Sequence, residues 1–560
     1  MTARPGGGAV KAGPGAAPAG RGQADSRGTG PGAAEPGGAA AAGLLAELDE
    51  LTRRWRLGAA GGLEPAGLTP EQALRLAMRL STRLGTDVRV PDVLAGGSLP
   101  ELVERAATGA PGGSAGVPVP LSHGQQRFLL DETLAPGQDD NHVVLAYLLS
   151  GPLDPEALAA AYGDVVARHP ILRTVHYWDG ERGPLQRVLP PDRERSPLTG
   201  PHPAPAAGRP SLARPAASGP TTSGPAARRP ADVAAELCAG WWDQPFDLEE
   251  HPPLRARLAR LGPESWLLCL SMHHIVFDGR SELILLKDLG TAYAARAAGQ
   301  EPGWPAVPGY HHYAQWEHDL VERWADRDLP FWRELLDADP PPPLLPAPAL
   351  ADQTKRHEHE IVLDARTVGE LSAAVRTRGA VPLASVLYGT ARALGRVFGA
   401  DRLNLATIAS GRFESVFNPV IGCFVNPVVL PFASVRDGRP EERVEETARL
   451  TLRALRHART PYDRLVRSLR PGAGRLPLYE VMVALQAPLE AGSFGGTEVA
   501  VEPVRVRAPR ASAPLIVEVE PQPEGGWAVA ARWREDVVDE RSGREVVSEL
   551  ANLLTGLRAR

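Results

Sequence analysis

Four Gly- and Pro-rich tracts cut this sequence into pieces, and no packed core can be run through them. They lie at residues 1–42, 108–118, 190–230 and 339–348. Gly leaves the backbone free and Pro removes donors, so such tracts bury too little apolar surface to offset the entropy of ordering. The first is expected to be disordered, the second a linker and the third a disordered surface insertion; the fourth reads as a bridge. A chain of 560 residues is itself too long for one ordinary core. The expected units are a small segment at 43–107 and a body of two halves, 119–338 and 339–560.

Composition excludes several classes of function. The net charge is −6, which leaves no basic field for nucleic acid. No apolar stretch reaches transmembrane length, and the opening residues lack the apolar core of a signal peptide. A cytoplasmic protein with no membrane partner is expected. The three cysteines, Cys238, Cys269 and Cys423, are far apart and sit in apolar or helical contexts. That pattern suits buried thiols better than a disulfide framework.

In the small segment, Leu44, Leu48, Leu51 and Trp55 fall at helical spacing, which predicts a helix over 43–57. Thr69-Pro70-Glu71-Gln72 reads as a helix start, with Ala73, Leu76, Ala77, Leu80 and Leu84 on one apolar face. A short helix, 100–106, follows. The body alternates strands and helices. Helices are predicted at 281–298, 310–337, 366–376, 382–397, 440–456 and 539–558. Strands are predicted at 266–272, 357–363, 403–408, 479–486, 498–506, 513–520 and 526–533. This is an α/β pattern in two halves, and an interface between halves is a favoured place for a ligand.

The chemistry concentrates at residues 273–279, His-His-Ile-Val-Phe-Asp-Gly, directly after the apolar run Trp266–Met272. Two imidazoles at the end of a buried strand are positioned for proton transfer near neutral pH. Adjacent strand residues face opposite ways, so one of the pair is expected to point into the core. No Cys, His or carboxylate set at zinc-like spacing surrounds them, and no metal is expected.

These residues resemble the condensation domains of non-ribosomal peptide synthetases, in the chloramphenicol-acetyltransferase-like superfamily. His273–Gly279 has the form HHxxxDG, extended by Ser281. Other blocks follow the family order: Ser122–Arg127, Arg168–Thr174 (with Pro170 where Glu is usual), Pro245–Leu248, Tyr310–Trp316 (with His312 where Asp is usual) and Ile421–Asn426. His457–Tyr462 is a weaker block. The likeness covers about 119–560. It implies two chloramphenicol-acetyltransferase-like lobes, an α+β sandwich pair forming a pseudo-dimer with a tunnel between them. Residues 43–107 resemble a carrier protein, but Pro70 occupies the position of the attachment Ser, so no prosthetic group is expected there.

The resemblance implies acyl transfer from a carrier thioester to an amine or hydroxyl. The candidate catalytic residues are His274, His273, Asp278 and Gly279. His274 is expected to move or position the proton, and His273 to face the core. Asp278 either transfers a proton or holds the loop through an ion pair with Arg412. Gly279 either offers its N–H to an oxyanion or merely permits the turn. Ser281 is expected to cap the following helix, Asn426 and Tyr313 to pack or bridge, and His123, His311 and His312 to lie on the surface or the tunnel wall. Phosphopantetheine would be supplied by donor and acceptor carrier proteins acting in trans, or the acceptor would be a soluble amine or alcohol. The chain is expected to be free-standing and monomeric. Two alternatives stand beside this reading: an acyl-CoA-dependent acyltransferase of the same superfamily, and a non-catalytic docking module.

Overall fold

The computed structural model of the chain describes residues 116–191, 198–203, 228–305, 307–336, 340–346, 354–470, 477–487, 492–511 and 513–557, with parts of 62–104. The tract at 1–42 and the expected helix at 43–57 lie outside the described residues. The next helix is present, as α1 (Pro70–Leu84). Its face of Ala73, Leu76, Ala77 and Leu80 is buried and joins the core of the first half of the body.

The first half is built on a strand ladder. β1 (His142–Ser150) pairs with the strand that carries the motif, β4 (Ser265–His273), which also pairs with β3 (Leu254–Gly262). Every residue of β4 from Trp266 to His273 is buried, as its unbroken apolar run requires. The tract at 190–230 was expected to be unstructured throughout, but β2 (Leu198–Pro203) lies inside it. β2 is an edge strand, paired in parallel to β3 alone, with a register shift between Thr199 and His202. An edge position tolerates prolines that a central strand would reject. Residues 192–197 and 204–227 of that tract lie outside the described residues.

Helices α2 (His123–Leu134), α3 (Pro155–Arg168) and α4 (Pro230–Trp242) come from this half. So does α5 (Gly279–Ala297). Ser122 and Gln125 form a reciprocal cap at the start of α2. Helix α6 (Tyr310–Leu336) is 27 residues long, so it spans about 40 Å at 1.5 Å per residue. Its first part, Tyr310 to Trp324, packs in the first core, while Trp332 and Leu336 pack in the second. One helix thus ties the two halves together.

The second half holds a seven-stranded sheet. Its members include β5 (Thr354–Leu363), β6 (Arg402–Ser410) and β7 (Val425–Ala433). After helices α7 (Pro440–Arg456) and α8 (Tyr462–Leu469) come β8 (Val481–Leu485), β9 (Gly492–Ser493), β10 (Ala500–Pro503), β11 (Arg510–Ala511), β12 (Leu515–Pro521) and β13 (Trp527–Arg534). β8 and β11–β13 complete that sheet.

β9 and β10 depart from it. β10 crosses over and pairs antiparallel with β1, so the second half contributes an edge to the sheet of the first. The crossover rests on two glycines. A Cβ on Gly495, whose φ is +64°, would meet the Gly290 carbonyl oxygen in α5 at 1.9 Å. Only Gly satisfies both the backbone conformation and the close approach.

Candidate active site

A cavity of about 2320 Å³ runs between the halves. The first half contributes α2, β1 and the residues that follow β4; the second contributes β5, β6, β8, β12 and the crossover. Of the four expected catalytic residues, His274, Asp278 and Gly279 line it, as does Arg412, while His273 does not.

His274 follows the last residue of β4, where the chain leaves the sheet in a single 3-10 turn, His274–Val276. Its ring stacks on Phe128 of α2, 4.9 Å between centroids and 9° from parallel. The buried Nδ1 has no hydrogen-bond partner outside its own residue. Burial is the largest influence on this imidazole and pushes it down to about 4; its own carbonyl and the Asp278 charge pull the other way. At neutral pH the ring is therefore uncharged and able to accept a proton.

His273 points away from the cavity and is fully buried. Its Nδ1 accepts the Ile275 N–H at 3.0 Å, so its Nε2 carries the hydrogen and faces Glu132 Oε2 at 3.4 Å. It braces the turn that aims His274. His273 was grouped with the candidate catalytic residues yet expected to face the core, and its ring lies there, off the cavity wall.

Asp278 is the N-cap of α5 and joins the halves. Its carboxylate takes a two-point contact from Arg412, Nη1 to Oδ2 at 2.7 Å and Nη2 to Oδ1 at 3.1 Å. Oδ1 also accepts the Ser281 N–H at 2.8 Å and the Ser281 hydroxyl at 2.7 Å; Oδ2 accepts the Phe424 N–H at 3.1 Å. Both charged side chains are almost fully buried, at 2% and 3% exposure. With every acceptor position taken, this carboxylate is built to hold geometry. Ser281 was expected to cap the helix; Asp278 takes that position, and Ser281 lies in the first turn, where its oxygen accepts the Gly422 N–H at 3.0 Å and ties α5 to the second half.

Gly279 is exposed in the cavity wall. A Cβ there would meet only Gln486 Oε1, at the ordinary contact distance of 3.8 Å, and φ lies outside the region that demands glycine. The turn therefore does not require Gly. An added side chain would project into the cavity.

The other expectations fare unevenly. Asn426 bridges, donating to the Ala458 and Thr460 carbonyls and accepting the Tyr462 N–H. Tyr313 packs in the core and donates to Glu317. His123, His311 and His312 do not line the cavity, and His311 is buried in α6. Apolar neighbours on one face of a long helix absorbed it. The sequence reading passed over Phe128, Glu132 and Tyr147. Phe128 directly follows the Ser122–Arg127 block, and that adjacency was the available signal; the other two carry none. Among the described residues no group of His, Cys, Asp or Glu could hold a metal ion, no helix is long and apolar enough to cross a membrane, and all three cysteines are free and buried.

Comparison with known proteins establishes the family and the fold. The condensation-domain profile matches residues 228–558. The chain is 31% identical over 442 residues to the probable non-canonical nonribosomal peptide synthetase CymA of Salinispora arenicola, covering 74% of this chain and 5% of that protein. It is 30% identical over 440 residues to the phosphinothricin tripeptide synthetase PhsB of Streptomyces viridochromogenes, covering 75% of this chain and 35% of that protein. Among solved structures, the X-domain from teicoplanin biosynthesis superposes with a TM-score of 0.64 at 26% identity, over 79% of this chain and 95% of the other. The first condensation domain of the calcium-dependent antibiotic synthetase shares the fold, with a TM-score of 0.64 at 22% identity. The chain belongs to the condensation-domain family of non-ribosomal peptide synthetases. It spans about a third or less of the length of these two synthetases.

Proposed function

We propose that this chain is an acyltransferase that moves a carrier-bound acyl or aminoacyl group from its thioester to an amine or hydroxyl acceptor. One observation carries the reading: the His274 imidazole, stacked on Phe128, stands on the wall of a large cavity between two halves. The cavity exceeds the roughly 300–1,000 Å³ of a site for one small ligand. That size suits two substrates meeting inside it, each on a phosphopantetheine arm supplied by a partner carrier protein.

His274 accepts or orients the acceptor's proton as the nitrogen or oxygen attacks the thioester carbonyl. The new bond forms, the C–S bond breaks, and the departing thiolate takes up a proton. The thioester is already activated, so no covalent enzyme intermediate is needed. His273 and Glu132 hold the His274 turn, and Asp278 with Arg412 holds the halves at the right separation. Gly279 keeps the cavity clear beside the reacting atoms, and its N–H is the candidate oxyanion donor. Residues 43–107 are read as a carrier-like helical segment without an attachment Ser, kept for docking.

A second reading, a docking module, is favoured by one observation: a structural neighbour at 25% identity is the teicoplanin X-domain in complex with OxyB. Intact-mass analysis tests the choice. An acyl-loaded carrier and the same acyl group on coenzyme A are each offered with candidate amines and alcohols. Carrier-dependent product supports the transferase, product from coenzyme A alone supports the soluble-thioester alternative, and carrier binding without product supports docking.

A further inference from the structure

The cavity wall from the second half is charged. Strand β12 turns Leu515, Val517 and Val519 into the core, and Glu518 and Glu520 between and after them face the other way. Glu358, Glu518 and Glu520 line the cavity, as do Arg356, Arg505, Arg507 and Arg532. Three of the four arginines pair with carboxylates: Arg505 binds Glu360 and Glu520, Arg507 binds Glu358, and Arg532 binds Glu358, Glu518 and Glu520.

Facing them from α5 is Glu282, three residues beyond Gly279 and so on the same helix face. Both line the cavity. Glu282 accepts one hydrogen bond, from the Tyr147 hydroxyl at 2.6 Å. Among the described residues no Arg, Lys or His pairs with it. Arg505 and Arg532 are engaged elsewhere, and Arg280, two positions back, lies round the helix from it. Among the described residues the other charge that acts on it is Glu520, of the same sign, and burial and Glu520 both raise its carboxyl above the usual range. A half-buried carboxylate of this kind leaves a place for one cation.

We propose that Glu282, braced by Tyr147, is a specificity-determining residue that binds a cationic nitrogen of the substrate, either a basic side chain or a free α-ammonium. This rests on the transferase reading and names the substrate class for it.

The test is calorimetric binding of three stable pantetheine amides to the full chain: those of lysine, of 2-aminoheptanoate (a methyl in place of the lysine ammonium) and of N-acetyl-2-aminoheptanoate. Tighter binding of the first than the second, by roughly tenfold or more, identifies a side-chain cation. A similar loss from second to third identifies the α-ammonium. Either preference is expected to vanish in Glu282→Gln and to weaken in Tyr147→Phe. Equal binding of all three by wild type, or a preference that survives Glu282→Gln, overturns the proposal. Far-ultraviolet circular dichroism of each variant establishes that it is folded. Turnover is not needed for this readout, so failure of the transferase reading shows separately, as binding without product.

Discussion

Asp278 and Arg412, 134 positions apart, meet as a buried two-point ion pair across the two halves of the molecule. Asp278 also caps the helix that begins at Gly279. The pair therefore sets the position of α5, and with it Gly279 and Glu282, relative to the opposite wall. Removing either partner strands a buried charge. Asp278→Ala and Arg412→Ala are each expected to cost about 3–5 kcal/mol in denaturant unfolding. The double variant should cost clearly less than the sum, because the second change removes the charge that the first left unpaired. Additive losses would show that the pair does not act as a unit.

Gly279 separates packing from chemistry. Nothing in the fold forbids a Cβ at this position. Gly279→Ala should leave the unfolding midpoint unchanged or slightly raised, since Ala favours the helix. Transfer should fall roughly tenfold or more as the methyl crowds the reacting atoms. Unaltered transfer would assign Gly279 to the turn alone.

The two histidines of the motif should separate by phenotype. His273→Ala removes a buried group that braces the turn and faces Glu132, and is expected to lower stability by about 2–4 kcal/mol. His274→Ala should cost little stability, since its ring lines a cavity. Thermal unfolding of the two variants side by side checks this.

Stability should fall with acid over a defined window. Burial depresses His142 and His274 to about 4 and His176 to about 3. An unfolded imidazole takes its proton below about 6.5, while these folded ones do so only near 4 or lower. Between those values the unfolded chain binds more protons, so stability drops as pH falls from about 6.5 toward 4 and levels off above 7. Denaturant midpoints from pH 8 to 4.5 check it. A flat profile would mean that these rings are solvated in the native state.

The secondary structure was largely legible because its signals are local. The helix expected at 382–397 is Pro382–Phe398, and the one expected at 440–456 is Pro440–Arg456, each opened by a proline at its first turn. The strand leading to the motif was legible from its unbroken apolar run. The edge strand at Leu198–Pro203 was hidden because its prolines and glycine mimic a loop, and its pairing is supplied by β3, more than fifty residues away. The crossover of β10 onto β1 joins Ala500 to Ser150 and has no local trace. In the site, Asp278 with Arg412 was read through the family resemblance. Phe128 against His274 and Tyr147 against Glu282 are contacts between distant segments that periodicity does not encode.

The central claim is that His274 performs the transfer. It is tested most directly by single-turnover transfer from an acyl-loaded carrier, comparing wild type with His274→Ala while carrier binding is measured in parallel. The account predicts a rate lower by about 10²–10⁴-fold with carrier affinity unchanged. Equal rates in the two proteins would contradict it.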